Sequence, residues 1–124
     1  MNQQKILFEK LNGAGVDIEG AITRFMGNQD LFLKFFYRFP EEWHPQIMLE
    51  ALERNDEKSF HEQLHSLKGV SGNLGLQKIY NITEEILVEI RKNKLQNIDF
   101  IRSLFQKLRD AVQEILNIIE NKIA

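Results

Sequence analysis

A histidine, a lysine and two glycines recur at helical spacing within residues 65–75. At about 100° per residue these four share one face of a helix: His65, Lys68, Gly69 and Gly72. A second stripe, roughly 140° away, is apolar except for one serine. It contains Phe60, Leu64, Leu67, Ser71 and Leu74. We therefore predict that the histidine faces solvent and that the second stripe faces a core.

The histidine face is suited to phosphoryl transfer. A free imidazole is mostly neutral at pH 7, and its nitrogen can then attack phosphorus. Phosphoryl transfer needs alignment and positive charge, and Lys68 is close enough on the helix to supply the charge. A glycine costs about 1 kcal/mol relative to alanine inside a helix. Glycines at positions 69 and 72 therefore indicate a surface that another protein approaches closely.

This pattern resembles the phosphoacceptor signature of the histidine-containing phosphotransfer (HPt) family, in which His-x-x-Lys-Gly is followed by small residues and a later glycine. The resemblance extends beyond residues 65–75. It includes residues 15–17 opening a helix, an aromatic helix at 31–39 and a helix at 76–90 behind the signature. It therefore covers most of the chain.

The resemblance implies a role for each residue of the signature. His65 would be the phosphoacceptor and Lys68 would steady the phosphoryl group, while the two glycines, Gly69 and Gly72, would admit the partner. Three further residues would support the motif: Ser71, Asn73 and Gly75. By helical phase, however, Ser71 points inward, so we expect it to pack or to bond within its own helix. We expect Asn73 to serve the helix end.

The resemblance also implies the partners. The phosphoryl group would pass between His65 and aspartates of receiver domains, in response regulators or hybrid histidine kinases, or would come from a histidine kinase. The receiver would bring Mg²⁺. The signature has no carboxylate pair for a metal and no Gly-x-x-x-x-Gly-Lys loop for a nucleotide. We therefore expect a phosphoryl carrier with no cofactor of its own rather than an autonomous enzyme.

One position departs from the family pattern. Many family members have a polar Gln or Glu on the following helix, aligned with Leu87, which can orient the histidine. Leu87 cannot make that hydrogen bond. Glu84 or a water molecule could replace it, and the sequence does not decide between them.

Composition limits the classes of protein that remain. The 124 residues are 43% hydrophobic, which suits one domain spanning residues 1–124. The net charge of −2 has no dense basic block behind it, so nucleic-acid binding is disfavoured. There is no cysteine, no apolar leader, and the most apolar stretch is interrupted by Lys34 and Arg38. We expect a soluble, cytoplasmic, self-contained monomer with no membrane partner.

Apolar residues recur at spacings of three and four almost throughout, which predicts an all-α fold. We expect an antiparallel four-helix bundle with one or more additional short N-terminal helices. A first helix at 3–11 should end at Gly13 in the left-handed conformation, and Asp17 should cap the second. A third helix from about Asp30 should be interrupted by the two prolines. Its expected core residues are Leu31, Phe32, Phe35, Phe36 and Phe39.

Three long helices should follow, after a shorter apolar pattern at 47–52. The signature helix is expected at 57–73, a second helix should begin after Gly75, and the last should span 97–123. The second should bury Leu76, Ile79, Thr83, Ile86 and Ile90, and the last Ile101, Leu104, Leu108, Ala111, Ile115 and Ile118. Four phenylalanines in eight residues exceed the needs of one core stripe, so one or two could remain exposed beside His65 and dock a receiver.

Two other classes fit part of the sequence. The segment from His61 to His65 matches the His-Glu-x-x-His pattern of zinc peptidases, with Glu85 as a possible third ligand. Lys68 beside the metal and the lack of strand signals argue against it. A helical adaptor that transfers nothing is the other class. It would gain stability from alanine at Gly69 or Gly72, so the glycines argue against it.

Overall fold

The chain is all-helical over residues 2–123, the part described by the computed structural model, with side chains described up to residue 121. Seven α-helices and one short 3₁₀ helix follow one another. They are α1 (Gln3–Gly13), α2 (Ile18–Arg24), α3 (Gln29–Tyr37), the 3₁₀ helix (Phe39–Glu42), α4 (Pro45–Glu53), α5 (Glu57–Leu74), α6 (Gln77–Asn93) and α7 (Ile98–Ile123). No strand occurs within this range, which confirms the predicted all-α class.

Helix α5, which contains the signature, lies at the centre of the fold. It packs against α2, α3, the 3₁₀ helix, α4 and α6, while α7 packs against α6 and α1. The inward stripe of α5 is buried as predicted: Phe60, Leu64, Leu67, Ser71 and Leu74. Because neighbours hold α5 along this stripe, its opposite face is presented from a rigid element.

The N-terminal turn differs from its prediction by two residues. Helix α1 continues through Gly13, and the left-handed residue is Gly15, with φ of 78°. The backbone N–H of Val16 then donates to the Leu11 carbonyl at 2.9 Å and closes the helix. The predicted cap of α2 is confirmed, since Asp17 Oδ1 accepts from the Gly20 N–H at 3.0 Å.

The aromatic helix buries only one side. Phe32, Phe36 and Phe39 are fully buried, but Leu31 and Phe35 are 36% and 42% exposed. The predicted core position of Leu31 was therefore wrong, whereas an exposed phenylalanine in this series was expected. Four of the five expected core residues lie in the nine-residue α3 and span more than one of its faces, while Phe39 begins the 3₁₀ helix. The predicted interruption is confirmed. Helix α3 ends before Pro40, and Pro45 is the first residue of α4.

Gly75 forms the tight junction between α5 and α6. Its φ of 71° is left-handed, and the N–H of Leu76 donates to the Ser71 carbonyl at 2.9 Å. The Asp17 N–H also donates to the Gly75 carbonyl at 2.8 Å, so the start of α2 is tied to the end of α5. A Cβ at position 75 would overlap the Asp17 carbonyl oxygen. Glycine is therefore required here by both conformation and space.

Helices α6 and α7 follow their predicted patterns, except that the buried stripe of α7 shifts by one residue in its C-terminal half. All five expected residues of the second long helix, including Thr83, are buried. In α7, Val112 and Ile119 are buried where Ala111 and Ile118 were expected, because a helix of 3.6 residues per turn drifts over its length. Ala111 and Ile118 are half-buried instead. Within the described residues, no helix combines the length and apolarity needed to cross a bilayer.

Candidate functional site

His65 is exposed near the middle of α5, as its helical phase predicted. Leu64 and Leu67 are buried on either side of it in the sequence and fix the helix orientation. The helix begins at the Asp56 cap, whose Oδ1 accepts from the Ser59 N–H at 3.1 Å. That hydrogen bond lowers the pKa of Asp56. The imidazole is therefore accessible from outside and is carried by a well-anchored helix.

The nearest ring to His65 is that of His61, one turn earlier. The two ring centroids are 6.2 Å apart and the rings are nearly parallel, at 8°. Across residues 2–121, no protein group forms a hydrogen bond with the His65 imidazole. Leu87, which aligns with a polar residue in many members of the family that the sequence resembles, is buried. Within the described residues, the imidazole is thus exposed and is not oriented by a hydrogen bond from the protein.

Lys68 forms an ion pair that the sequence did not predict. Its Nζ lies 2.7 Å from Glu84 Oε2 and 5.9 Å from the centroid of the Tyr80 ring, both on α6. Hydrogen bonding to Glu84 raises the pKa of Lys68. Glu84, considered above as a substitute for orienting His65, is therefore engaged with Lys68. Tyr80 and Glu84 are four residues apart and therefore lie on one face of α6. This spacing is the only signal in the sequence that both residues could contact Lys68.

The glycines of the signature have different surroundings. A Cβ on Gly69 would meet nothing within 4 Å, which leaves the surface beside Lys68 open. A Cβ on Gly72 would lie 3.3 Å from Cε2 of Tyr80, so this glycine also makes room for a ring of its own protein. Gly75 is buried and forms the helix junction. Clearance for a partner is thus greatest at position 69.

The two polar residues of the motif lie where helical phase placed them. Ser71 is fully buried, and its Oγ donates to the Lys68 carbonyl at 3.2 Å, which confirms the predicted bond within the helix. Asn73 is exposed in the last turn of α5. Its carbonyl accepts from Arg24 Nε at 3.2 Å. Ser71 therefore faces away from His65, and the backbone of Asn73 joins α5 to α2.

An exposed aromatic surface flanks the C-terminal half of α5. Phe35 stacks on Phe25 with ring centroids 5.5 Å apart. The two rings share a shallow groove with Arg38, Val70 and Asn73. We call these five residues the Phe35 surface. Because Val70 and Asn73 come from α5 itself, this surface and the histidine face are carried by the same helix.

The geometry gives no support to the zinc-peptidase alternative. Within residues 2–121, no group of three or more His, Cys, Asp or Glu side chains is arranged to hold a metal ion. Glu85, the possible third ligand, lies in a groove with Val88 and Phe100. The described residues also lack a strand on which a peptide substrate could align; the one isolated bridge joins Val16 and Leu76.

An all-helical domain whose central helix exposes a histidine beside a lysine has the features of a phosphotransfer domain, and comparison with known proteins gives its family. The family model described as Hpt domain matches residues 44–118. This match covers more than half of the chain and all of α5. The chain therefore belongs to the Hpt domain family, and its role is histidine phosphotransfer in two-component signalling.

Two related proteins show the same similarity. The sensor protein EvgS of Escherichia coli strain K12 is 27% identical over 104 residues, which are 81% of this chain and 9% of that protein. The EvgS sensor protein of Escherichia coli O157:H7 matches with the same identity and coverage. The chain thus spans only about 9% of the length of these relatives. No solved structure matches the chain.

Proposed function

We propose that His65 accepts a phosphoryl group and hands it on, with receiver-domain aspartates or a histidine kinase as donor and receiver domains as acceptors. The observation that carries this proposal is the exposed imidazole at the centre of α5, with Lys68 and the open position at Gly69 on the same helix face. The family places histidine phosphotransfer in this domain, and His65 is the histidine that lies within the signature.

The chemistry requires little from this chain. An imidazole nitrogen attacks phosphorus, a P–N bond forms, and the P–O bond to the aspartyl oxygen breaks, with its electron pair leaving on the carboxylate. Lys68 supplies positive charge to the equatorial oxygens. Mg²⁺ comes with the receiver domain and this chain needs no cofactor of its own. The domain is a carrier that borrows catalysis from its partner.

The Phe35 surface is the docking site that we propose for the receiver. Phe35 is 42% exposed although it is a large aromatic residue, and it stacks on another ring that is half-buried. Aromatic side chains are enriched at protein interfaces, where they bury a large area. Gly69, whose Cβ position has nothing within 4 Å, then keeps the surface of α5 between Val70 and His65 low, so that the acceptor carboxylate can reach His65.

We also propose that α4, α5, α6 and α7 form an antiparallel four-helix bundle, with the N-terminal helices packed outside it. Consecutive helices among these four pack against each other. Only two residues, Gly75 and Leu76, separate α5 from α6, which requires the chain to reverse direction. We further propose that the domain works in the cytoplasm as a monomer, and that its partners are proteins rather than nucleic acid or membrane.

Label transfer from phosphorylated receivers tests the proposal. Receiver domains are phosphorylated with acetyl phosphate and Mg²⁺, freed of the donor, and mixed with the wild type, His65→Gln and His61→Gln. The His61→Gln variant is the matched control because it removes an exposed imidazole one turn away. We expect acid-labile, alkali-stable phosphate on the wild type and on His61→Gln only. Label that persists in His65→Gln contradicts the assignment.

A further inference from the structure

Lys68 already has a counterion before any phosphoryl group arrives. Its Nζ lies 2.7 Å from Glu84 Oε2, and the two side chains are 31% and 37% exposed. The ring of Tyr80 lies 5.9 Å from the same ammonium. Both partners belong to α6, so the lysine side chain crosses from α5 to the neighbouring helix. In the unmodified protein, the ammonium of Lys68 that we assign to the phosphoryl group is thus paired with Glu84 on α6.

A phosphoryl group on His65 competes with Glu84 for this ammonium. Residues three apart on a helix have Cβ atoms about 5–6 Å apart, so phosphoryl oxygens on residue 65 are within reach of a lysine at residue 68. A lysine ammonium is a compact charge with three donors on a flexible stem, and it can turn from one anion to another. Partial exposure keeps this exchange small in free energy.

We propose that Glu84 is a positioning residue that acts through Lys68. It holds Lys68 on α6 when His65 is unmodified, and it competes for Lys68 when His65 carries the phosphoryl group. This competition limits how strongly the phosphoryl group is retained and so keeps it transferable. The inference rests on the proposed function of His65 as the phosphoacceptor, and it adds a residue on α6 that sets the lifetime of the phosphorylated form.

The step that Glu84 influences is the loss of the phosphoryl group. In hydrolysis the P–N bond breaks with its electron pair on the imidazole nitrogen, and a P–O bond forms to water. One water proton goes to the imidazole and inorganic phosphate leaves. Without a partner aligned for transfer, Lys68 bonded to the phosphoryl oxygens stabilises the phosphorylated form more than the transition state of hydrolysis, so it opposes this step. A lysine shared with Glu84 opposes it less.

Phosphoramidate phosphorylates histidine without a partner protein, so the later loss of the phosphoryl group can be followed in this chain alone. Its P–N bond breaks as the new P–N bond to imidazole forms, and ammonia leaves. The wild type, Glu84→Gln and Glu85→Gln are phosphorylated in this way and freed of reagent. The loss of the His65 signal is then followed by ³¹P NMR, with His65→Gln identifying that signal. Glu85 is the matched control because it adjoins Glu84 in sequence and is exposed.

We expect the phosphohistidine of Glu84→Gln to live roughly two- to fivefold longer than that of the wild type, the range expected from a partly exposed ion pair. Glu85→Gln should match the wild type. In a Lys68→Gln background, Glu84→Gln should have no further effect. A role in stability alone would change the melting temperature without changing these lifetimes.

Four results separate the possibilities. Equal lifetimes in the wild type and Glu84→Gln overturn the role of Glu84 and leave the proposed function intact. A shorter lifetime in Glu84→Gln also overturns it. An effect that persists without Lys68 shows direct repulsion and overturns positioning through the lysine. Absence of any His65 phosphate in the wild type overturns the proposed function, and this inference with it.

Discussion

The ring of Tyr80 lies against the backbone of Gly72, so that a Cβ at position 72 would be 3.3 Å from Cε2 of the ring. The same ring is 5.9 Å from Nζ of Lys68. One side chain of α6 therefore occupies the space left by a glycine of the signature and lies beside its lysine. Gly69 has no such neighbour, since a Cβ there would meet nothing within 4 Å.

Alanine at the two glycines should therefore have different effects on stability. We expect Gly69→Ala to raise the free energy of unfolding by about 0.5–1 kcal/mol, because a helix favours alanine and the site is open. Gly72→Ala should gain less or lose stability, because the Tyr80 ring must move. Urea unfolding measures both. Equal gains would contradict the packing assigned to Tyr80, and in a Tyr80→Leu background the two effects should converge.

The inward stripe of α5 and the cap of α2 could be predicted because they depend on local physics. Helical spacing alone assigns Leu64 to the buried face of α5 and His65 to the exposed face. Asp17 caps the helix that follows it. Gly75 was identified as a junction for the same reason. Within the candidate site, the exposure of His65 and the inward position of Ser71 also follow from phase along one helix.

The predictions that failed depend on contacts between elements. Leu31 has the spacing of a core residue, but it is 36% exposed, whereas Phe32 and Phe36 on the same helix are fully buried. The pairing of Lys68 with Glu84 depends on the register between two helices, which neither helix determines alone. Spacing identifies candidate faces, and packing decides which of them are covered.

Gly75→Ala should be strongly destabilising. Residue 75 has φ of 71°, and a Cβ there would overlap the Asp17 carbonyl oxygen. A left-handed conformation costs a non-glycine residue about 1–3 kcal/mol, and the overlap adds to it. We expect a loss of at least about 2 kcal/mol in urea unfolding. Gly13→Ala is the control, because a Cβ there has no neighbour within 4 Å and α1 should tolerate it. Similar losses in both variants would contradict a specific junction at Gly75.

Acid should weaken the start of α5 through Asp56. Its pKa is lowered mainly by the hydrogen bond from the Ser59 backbone, so the folded protein favours the carboxylate more than the unfolded chain does. This contribution is complete above the ordinary pKa of 3.8 and is lost as pH falls through the lower folded value. Asp56→Asn retains a capping oxygen without titrating. Melting temperatures between pH 2 and 7 should show the advantage of the wild type over Asp56→Asn shrinking below pH 4. A constant difference would contradict it.

Leu87→Gln tests whether this domain needs the polar residue that many family members have on this helix. Leu87 is only 5% exposed and belongs to the core. A buried amide without partners costs about 1–3 kcal/mol, so the variant should lose that much stability. Leu87→Met, which keeps the volume apolar, should lose less than about 1.5 kcal/mol.

Since the His65 imidazole has no hydrogen bond from residues 2–121, we expect phosphorylation of Leu87→Gln by phosphoramidate to proceed at the wild-type rate, measured under conditions where both are folded. A rate several-fold higher than that of both the wild type and Leu87→Met would instead show that an orienting amide had been missing, and that free rotation of the imidazole limits this domain.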